Sequence, residues 1–242
     1  MSTNTAAIEV MDDPRLVHGS FPWHKQGAGR ADNLPRILRG NWPDPVARIP
    51  PREARDELLC FGEELGLTLR MAVTEEDRLK AWHLAYEEYL ACGYTQPSEV
   101  ERRYSLHDAL PETGTFLVED HGTLVGTITA FPDSPLGLPA DEIYLAEIDA
   151  VRQAGRRLAE IGRLTIRSEY AKHRKILLKI LEVPFLYARG VLGATDVVIT
   201  VNPKHESFYR RMMLFDLAAG ERELASVCGA PGRIASDLMV LW

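Results

Sequence analysis

The sequence predicts an α/β fold, a mixed central sheet flanked by helices, behind an irregular N-terminal arm over residues 1–53. Three observations predict it. From residue 54 onward the apolar residues alternate between strand spacing and helix spacing, the mark of stacked layers. The run Leu158 to Ile166 reads as a strand carrying two charges, Glu160 and Arg163, among apolar residues. A second strong strand, Thr195 to Val201, passes directly into Asn202-Pro203, a helix start.

The arm comes first. Seven of the fifteen prolines fall within the first 51 positions, and no apolar period is visible there, so the segment is expected to stay irregular. Gly27-Ala28-Gly29 is too short for a phosphate loop and no strand precedes it. Residues 54–242 form the second unit. Residues 54–65 are expected to be a short helix. Leu67 to Val73 alternates as a strand does. Thr74-Glu75-Glu76-Asp77 resembles a capping box, and Leu79, Trp82, Ala85, Tyr86, Tyr89 and Leu90 follow at helical spacing. Phe116 to Glu119 and Leu124 to Phe131 form a hairpin around Asp120-His121-Gly122. A loop from Pro132 to Pro139 precedes a short helix, Ile143 to Gln153. After the charged strand, Ser168 is placed to cap a long helix that Pro184 interrupts or kinks. Pro203 to Met213 is a helix, Leu214 to Leu217 starts a strand, and Ile234 to Trp242 closes the sheet.

Bulk properties narrow the function. The net charge is −7, which argues against nonspecific nucleic-acid binding. Cys60, Cys92 and Cys228 are odd in number and form no CxxC pair, so neither a disulfide framework nor a metal site is expected. No run approaches the ~18 apolar residues of a membrane span. Acidic Glu9, Asp12 and Asp13 stand where a signal peptide would be basic, so the expected compartment is the cytoplasm.

The charged strand carries the chemistry. In a regular strand, positions 160 and 163 point to opposite faces. A bulge brings them towards one side, and Gly162 between them suits one. A structural ion pair, or two edge charges in water, accounts for the same residues. Downstream, Asn202 caps a helix on which Tyr209 falls seven residues later, about two turns. A tyrosine hydroxyl there can protonate a leaving group. Packing is the competing account for Tyr209, and for Phe208 and Met212 the better one. His205 reads as a helix-start or packing residue before a base.

These segments resemble the GNAT superfamily of acyltransferases. That pattern has an Asn after the fifth strand, a Tyr seven residues on, then a short Gly-Phe strand start; here it is Asn202, Tyr209 and Leu214-Phe215. The usual Gln/Arg-x-x-Gly-x-Gly/Ala loop is replaced by Arg167-Ser168-Glu169-Tyr170-Ala171-Lys172-His173-Arg174, with no glycine before Gly190. Glycine lets a backbone approach a pyrophosphate, so an ordinary coenzyme A site is not expected. Glu160-Ile161-Gly162-Arg163 is similar to the Glu-x-x-Arg strand of the acyl-homoserine-lactone synthases, as Tyr86 to Tyr94 is to their early helix and turn. Asn202 to His205, Phe208 to Arg211 and Gly229-Ala230-Pro231 are closer still to the N-acyl amino acid synthases. The resemblance spans about residues 66–242.

It implies a GNAT-like acyltransferase that moves a fatty acyl group from acyl carrier protein to the amine of an amino acid. No tightly bound cofactor is implied; acyl-phosphopantetheine is the co-substrate. Glu160 would take the amine proton and Tyr209 would assist the thiol. Arg163 would hold the acceptor carboxylate or orient Glu160, with Asn202 and His205 beside it. Leu164, Thr165, Ile166, Arg167, Lys172, Arg174 and Lys175 would meet the donor, the basic members steering an acidic carrier protein. A coenzyme-A-dependent N-acetyltransferase and a GNAT-like binding module without turnover are the alternatives.

Overall fold

The computed structural model describes residues 67–172, 174–223 and 235–241. Seven strands make one mixed sheet: β1 (Leu67–Met71), β2 (Gly114–Asp120), β3 (Thr123–Pro132), β4 (Leu158–Ile166), β5 (Asp196–Val201), β6 (Asp216–Glu223) and β7 (Ala235–Leu241). Their spatial order is β1-β2-β3-β4-β5-β7-β6. Among the described strands only the β4–β5 pairing is parallel; the others are antiparallel. Among the described residues the α-helices are α1 (Glu75–Ala91), α2 (Asp141–Gln153), α3 (Arg174–Gly190) and α4 (Glu206–Met212).

Local chemistry fixes the first elements. The Thr74 hydroxyl accepts from the Asp77 amide at 3.1 Å and the Asp77 carboxylate accepts from the Thr74 amide at 3.2 Å, closing the expected capping box on α1. Arg70 on β1 bonds that same carboxylate at 2.8 Å and Glu119 on β2 at 2.7 Å, so the cap is also tied to the sheet. β2 and β3 join through His121-Gly122, whose φ values of 48° and 81° are those a two-residue type I′ hairpin requires.

The core follows from the alternation. Ala159 and Ile161 of β4 face α3, whose Ile176, Leu177, Ile180, Leu181, Tyr187 and Ala188 repeat at helical spacing. Leu158 and Val198 face the other way, onto Tyr144 and Ile148 of α2. Glu160, two residues after Leu158, shares the α2 face.

Three local expectations change. Ser168 opens a short 3-10 turn, Ser168–Tyr170, and α3 begins only at Arg174. Pro184 lies inside α3 without interrupting it; the buried stripe on either side outweighs one lost hydrogen bond. β6 begins at Asp216 rather than Leu214; β7, the strand expected to close the sheet, pairs between β5 and β6. The expected arm (1–53), the helix at 54–65, Gly229-Ala230-Pro231, Ile234 and Trp242 lie outside the described residues.

Candidate active site

The site begins with a fault in the β3–β4 ladder. Thr127 pairs with Thr165 and Thr129 with Gly162, so Arg163 and Leu164 together oppose Ile128 alone. This is the expected bulge, with one difference: the left-handed residue is Arg163, at φ 53°, and not Gly162. The left-handed turn brings Arg163 onto the Glu160 face. Its guanidinium lies 5.1 Å from the centroid of Phe131, the cross-strand partner of Glu160.

A left-handed arginine costs roughly 1–2 kcal/mol of backbone strain, so something must hold it. Its Nη1 donates to Asp108 at 2.5 Å and its Nη2 to the Ser105 hydroxyl at 2.7 Å. Asp108, whose side chain is 3% exposed, also accepts from the Ser105 amide at 2.6 Å and from the Trp82 indole of α1 at 3.2 Å. Asp108 lies in a 3-10 turn, Leu106–Ala109, whose N-cap is Ser105; sequence reasoning missed this turn. The signal was present: Ser105-Leu106-His107-Asp108 has capping-box spacing.

Glu160 is 3% exposed, and its Oε2 accepts from the Ala140 amide at 2.7 Å. Burial pushes its carboxyl up to about 8; the Ala140 amide pulls it down, nearby Asp141 adds to the rise, and Arg163 opposes it. A carboxyl with that proton affinity can act as a base near neutral pH.

Beside Glu160 the sheet splits. β4 and β5 are paired only through Leu158–Asp196, Ala159–Val197 and Glu160–Val198. Beyond these three pairs a cavity of about 210 Å³ opens, lined by Ile161 to Ile166 on one side and Ile199 to Asn202 on the other. Ile128, Leu177, Leu181 and Phe185 supply an apolar wall; Glu88, Tyr89, Cys92 and Tyr94 come from α1 and the turn after it. Glu160 is not on this wall, but Gly162 is, and a Cβ built there would stand 3.9 Å from Glu160 Oε1. The carboxyl and the cavity are separated by the width of a missing side chain.

Tyr209 lines the opposite wall and is 7% exposed. Its ring packs edge-on against Phe208 and Phe215, with centroids 5.2 and 5.9 Å away. Burial raises its hydroxyl above the ordinary tyrosine range, so it stays protonated and able to donate. Asn202 and His205 also line the cavity. The Asn202 side chain accepts from the Lys204 amide at 3.1 Å, capping a 3-10 turn, Pro203–His205, that precedes α4.

Of the residues expected to meet a donor, Leu164, Thr165 and Ile166 line the cavity. Arg167 does not; it donates to the Leu124 carbonyl at 2.9 Å and to Glu87 at 3.4 Å, binding the end of β4 to β3 and α1. Lys172 is exposed. Arg174 and Lys175 form the first turn of α3, and their side chains lie outside the described residues. Glu88, which sequence reasoning did not single out, is on the cavity wall, and burial raises its carboxyl.

The fold that carries this site matches known proteins. The chain resembles the structure of FeeM, an N-acyl amino acid synthase from uncultured soil microbes, at 23% identity and a TM-score of 0.62, over 73% of this chain and 90% of that one. Drosophila melanogaster polyamine N-acetyltransferase aligns at 12% identity and a TM-score of 0.51, over 72% and 99% of the two chains. An agmatine N-acetyltransferase aligns at 15% and 0.51, over 73% and 99%. These likenesses show the GNAT acyltransferase fold. No curated protein matches at a significant level. The sequence pattern of the N-acyl amino acid synthase FeeM family matches residues 80–236, well over half the chain and every wall of the cavity. On that match, the chain belongs to the N-acyl amino acid synthase FeeM family.

Proposed function

We propose that the protein transfers a long-chain fatty acyl group from an acyl carrier protein thioester to the amine of an amino acid. The observation that carries this reading is the apolar cavity between β4 and β5, with a protonated tyrosine on one wall and a proton-accepting carboxyl one glycine away on the other.

The acyl thioester lies in the wedge. Its carbonyl meets the bulge at Arg163 and Leu164, residues left out of the β3–β4 ladder, whose amides polarise it. Glu160 takes a proton from the acceptor ammonium, directly or through a water at Gly162. The freed amine attacks the carbonyl carbon and the C–N bond forms. Collapse of the tetrahedral intermediate breaks the C–S bond, and Tyr209 protonates the leaving thiolate. The second amine proton and the one held by Glu160 pass to solvent and one proton returns to the tyrosine, so one proton is released per turnover. Arg163, engaged by Asp108 and Ser105, orients the Glu160 surroundings; this is the better supported of its two expected roles. His205 and Asn202 remain wall residues for the acceptor side. Work in an aqueous compartment such as the cytoplasm suits these substrates. Among the described residues, no helix is long and apolar enough to cross a membrane.

The test is incubation of the pure protein with the free amino acids and either acyl carrier protein thioester or acyl-coenzyme A, with mass-spectrometric detection of products. N-acyl amino acid from the carrier-protein donor is expected. Product from acetyl-coenzyme A alone would make the protein an ordinary N-acetyltransferase, and no product from any donor would make it a binding module.

A further inference from the structure

The loop between β3 and α2 is held by a single guanidinium. Arg152, in the last turn of α2, donates from Nε and Nη2 to the two oxygens of Asp133 at 2.9 and 2.8 Å. Its Nη1 and Nη2 reach both oxygens of Asp141 at 3.0 and 2.6 Å, and Nη1 also reaches Asp149 at 2.7 Å. All five N–H donors are used. Asp133 stands directly after β3 and Asp141 begins α2, so both ends of the loop are fastened to one side chain. Asp141 in turn accepts from the Leu138 amide at 2.7 Å. The residue between Leu138 and Asp141 on this turn's inner side is Ala140, and its amide is the one that holds Glu160.

Three carboxylates around one cation leave a surplus of negative charge beside a buried carboxyl. As a surface ion-pair cluster this would contribute little to stability. As a clip it does two things: it fixes the Ala140 amide on Glu160 Oε2, leaving Oε1 towards Gly162, and it offsets part of the Asp141 charge. The other charge acting on Glu160 is Arg163 on its own strand, held by Asp108; the His107 ring packs 6.1 Å from Phe131, the cross-strand partner of Glu160.

We propose that Arg152 is a positioning residue for the reaction, aiming Glu160 through the Ala140 amide and setting the pH at which Glu160 gains its charge. The proposal rests on the reading of Glu160 as base. Losing the amide contact and exposing the Asp141 charge both disfavour the ionised carboxyl, so both raise its midpoint.

The Glu160 carboxyl is titrated directly by infrared difference spectroscopy, with Glu160→Gln as the blank, in wild type, Arg152→Met and Arg152→Lys. Arg152→Met is expected to raise the midpoint by about one pH unit. Arg152→Lys, which keeps the charge but loses the fork, is expected to raise it by less. In the transfer assay at neutral pH, kcat should fall about tenfold for Arg152→Met, with both KM values unchanged, since one unit leaves about a tenth of the ionised carboxyl. An unmoved midpoint in Arg152→Lys, and in Arg152→Met if it folds, overturns the proposal. A moved midpoint with wild-type rates in Glu160→Gln leaves the clip standing and removes Glu160 as base.

Discussion

At the scale of single residues, Glu160 links stability to pH. Its carboxyl titrates near 8 in the folded chain, against about 4.3 in an unfolded one. Between those values the folded state keeps a proton that the unfolded state has lost. Stability is therefore full below the unfolded value and falls as pH rises towards 8. We expect urea midpoints of the wild type to decline between pH 5 and pH 8.5, and those of Glu160→Gln, which keeps an acceptor for Ala140, to decline less. The difference should be on the order of a few kcal/mol, and parallel curves would show that Glu160 does not hold its proton. Gly162 is a different kind of residue. A Cβ there meets Phe131 at 3.7 Å and Glu160 at 3.9 Å, ordinary contacts, so Gly162→Ala should fold normally. The methyl would stand between the cavity and the base. We expect kcat to fall roughly tenfold or more, as small misplacements do, with the donor KM unchanged; a wild-type kcat would show that the proton takes another route.

Among the elements, the bulge on β4 and the 3-10 turn Leu106–Ala109 are one device. The turn supplies Asp108 and Ser105, and these hold the left-handed Arg163. Asp108→Ala leaves a buried guanidinium without its counter-charge, at a cost of about 3 kcal/mol. Chemical denaturation should register that loss, whereas a change within error would mean that Phe131 stacking and Ser105 suffice. How much of this was legible depends on the range of the cause. The α1 capping box and the His121-Gly122 hairpin are written in adjacent residues, and both were readable. The bulge was readable from two charges in an apolar strand, but not its left-handed residue. Arginine has no preference for that conformation, and what stabilises it lies 55 residues away in Asp108. Pro184 does not interrupt α3 because the local rule competes with a buried stripe that only the tertiary packing shows.

For the whole molecule, the α/β class and the positions of β4, β5 and α4 follow from pattern alone, and with them the place of the cavity. The insertion of β7 between β5 and β6 does not, since strand order depends on pairings that no local period records. The splay between β4 and β5 has a mechanical consequence. One half of the sheet, β1 to β4, joins the other, β5-β7-β6, through only three residue pairs. This seam is the shortest line along which the sheet can part, and local opening should concentrate there. Those backbone amides of Ile199 to Val201 that face β4 and not β7 should exchange with deuterium faster than those of β2 and β3, which are paired on both sides. An acyl chain lodged in the wedge touches both halves and should slow that exchange, so the substrate acts as the missing stretch of sheet and mends the seam while it is bound.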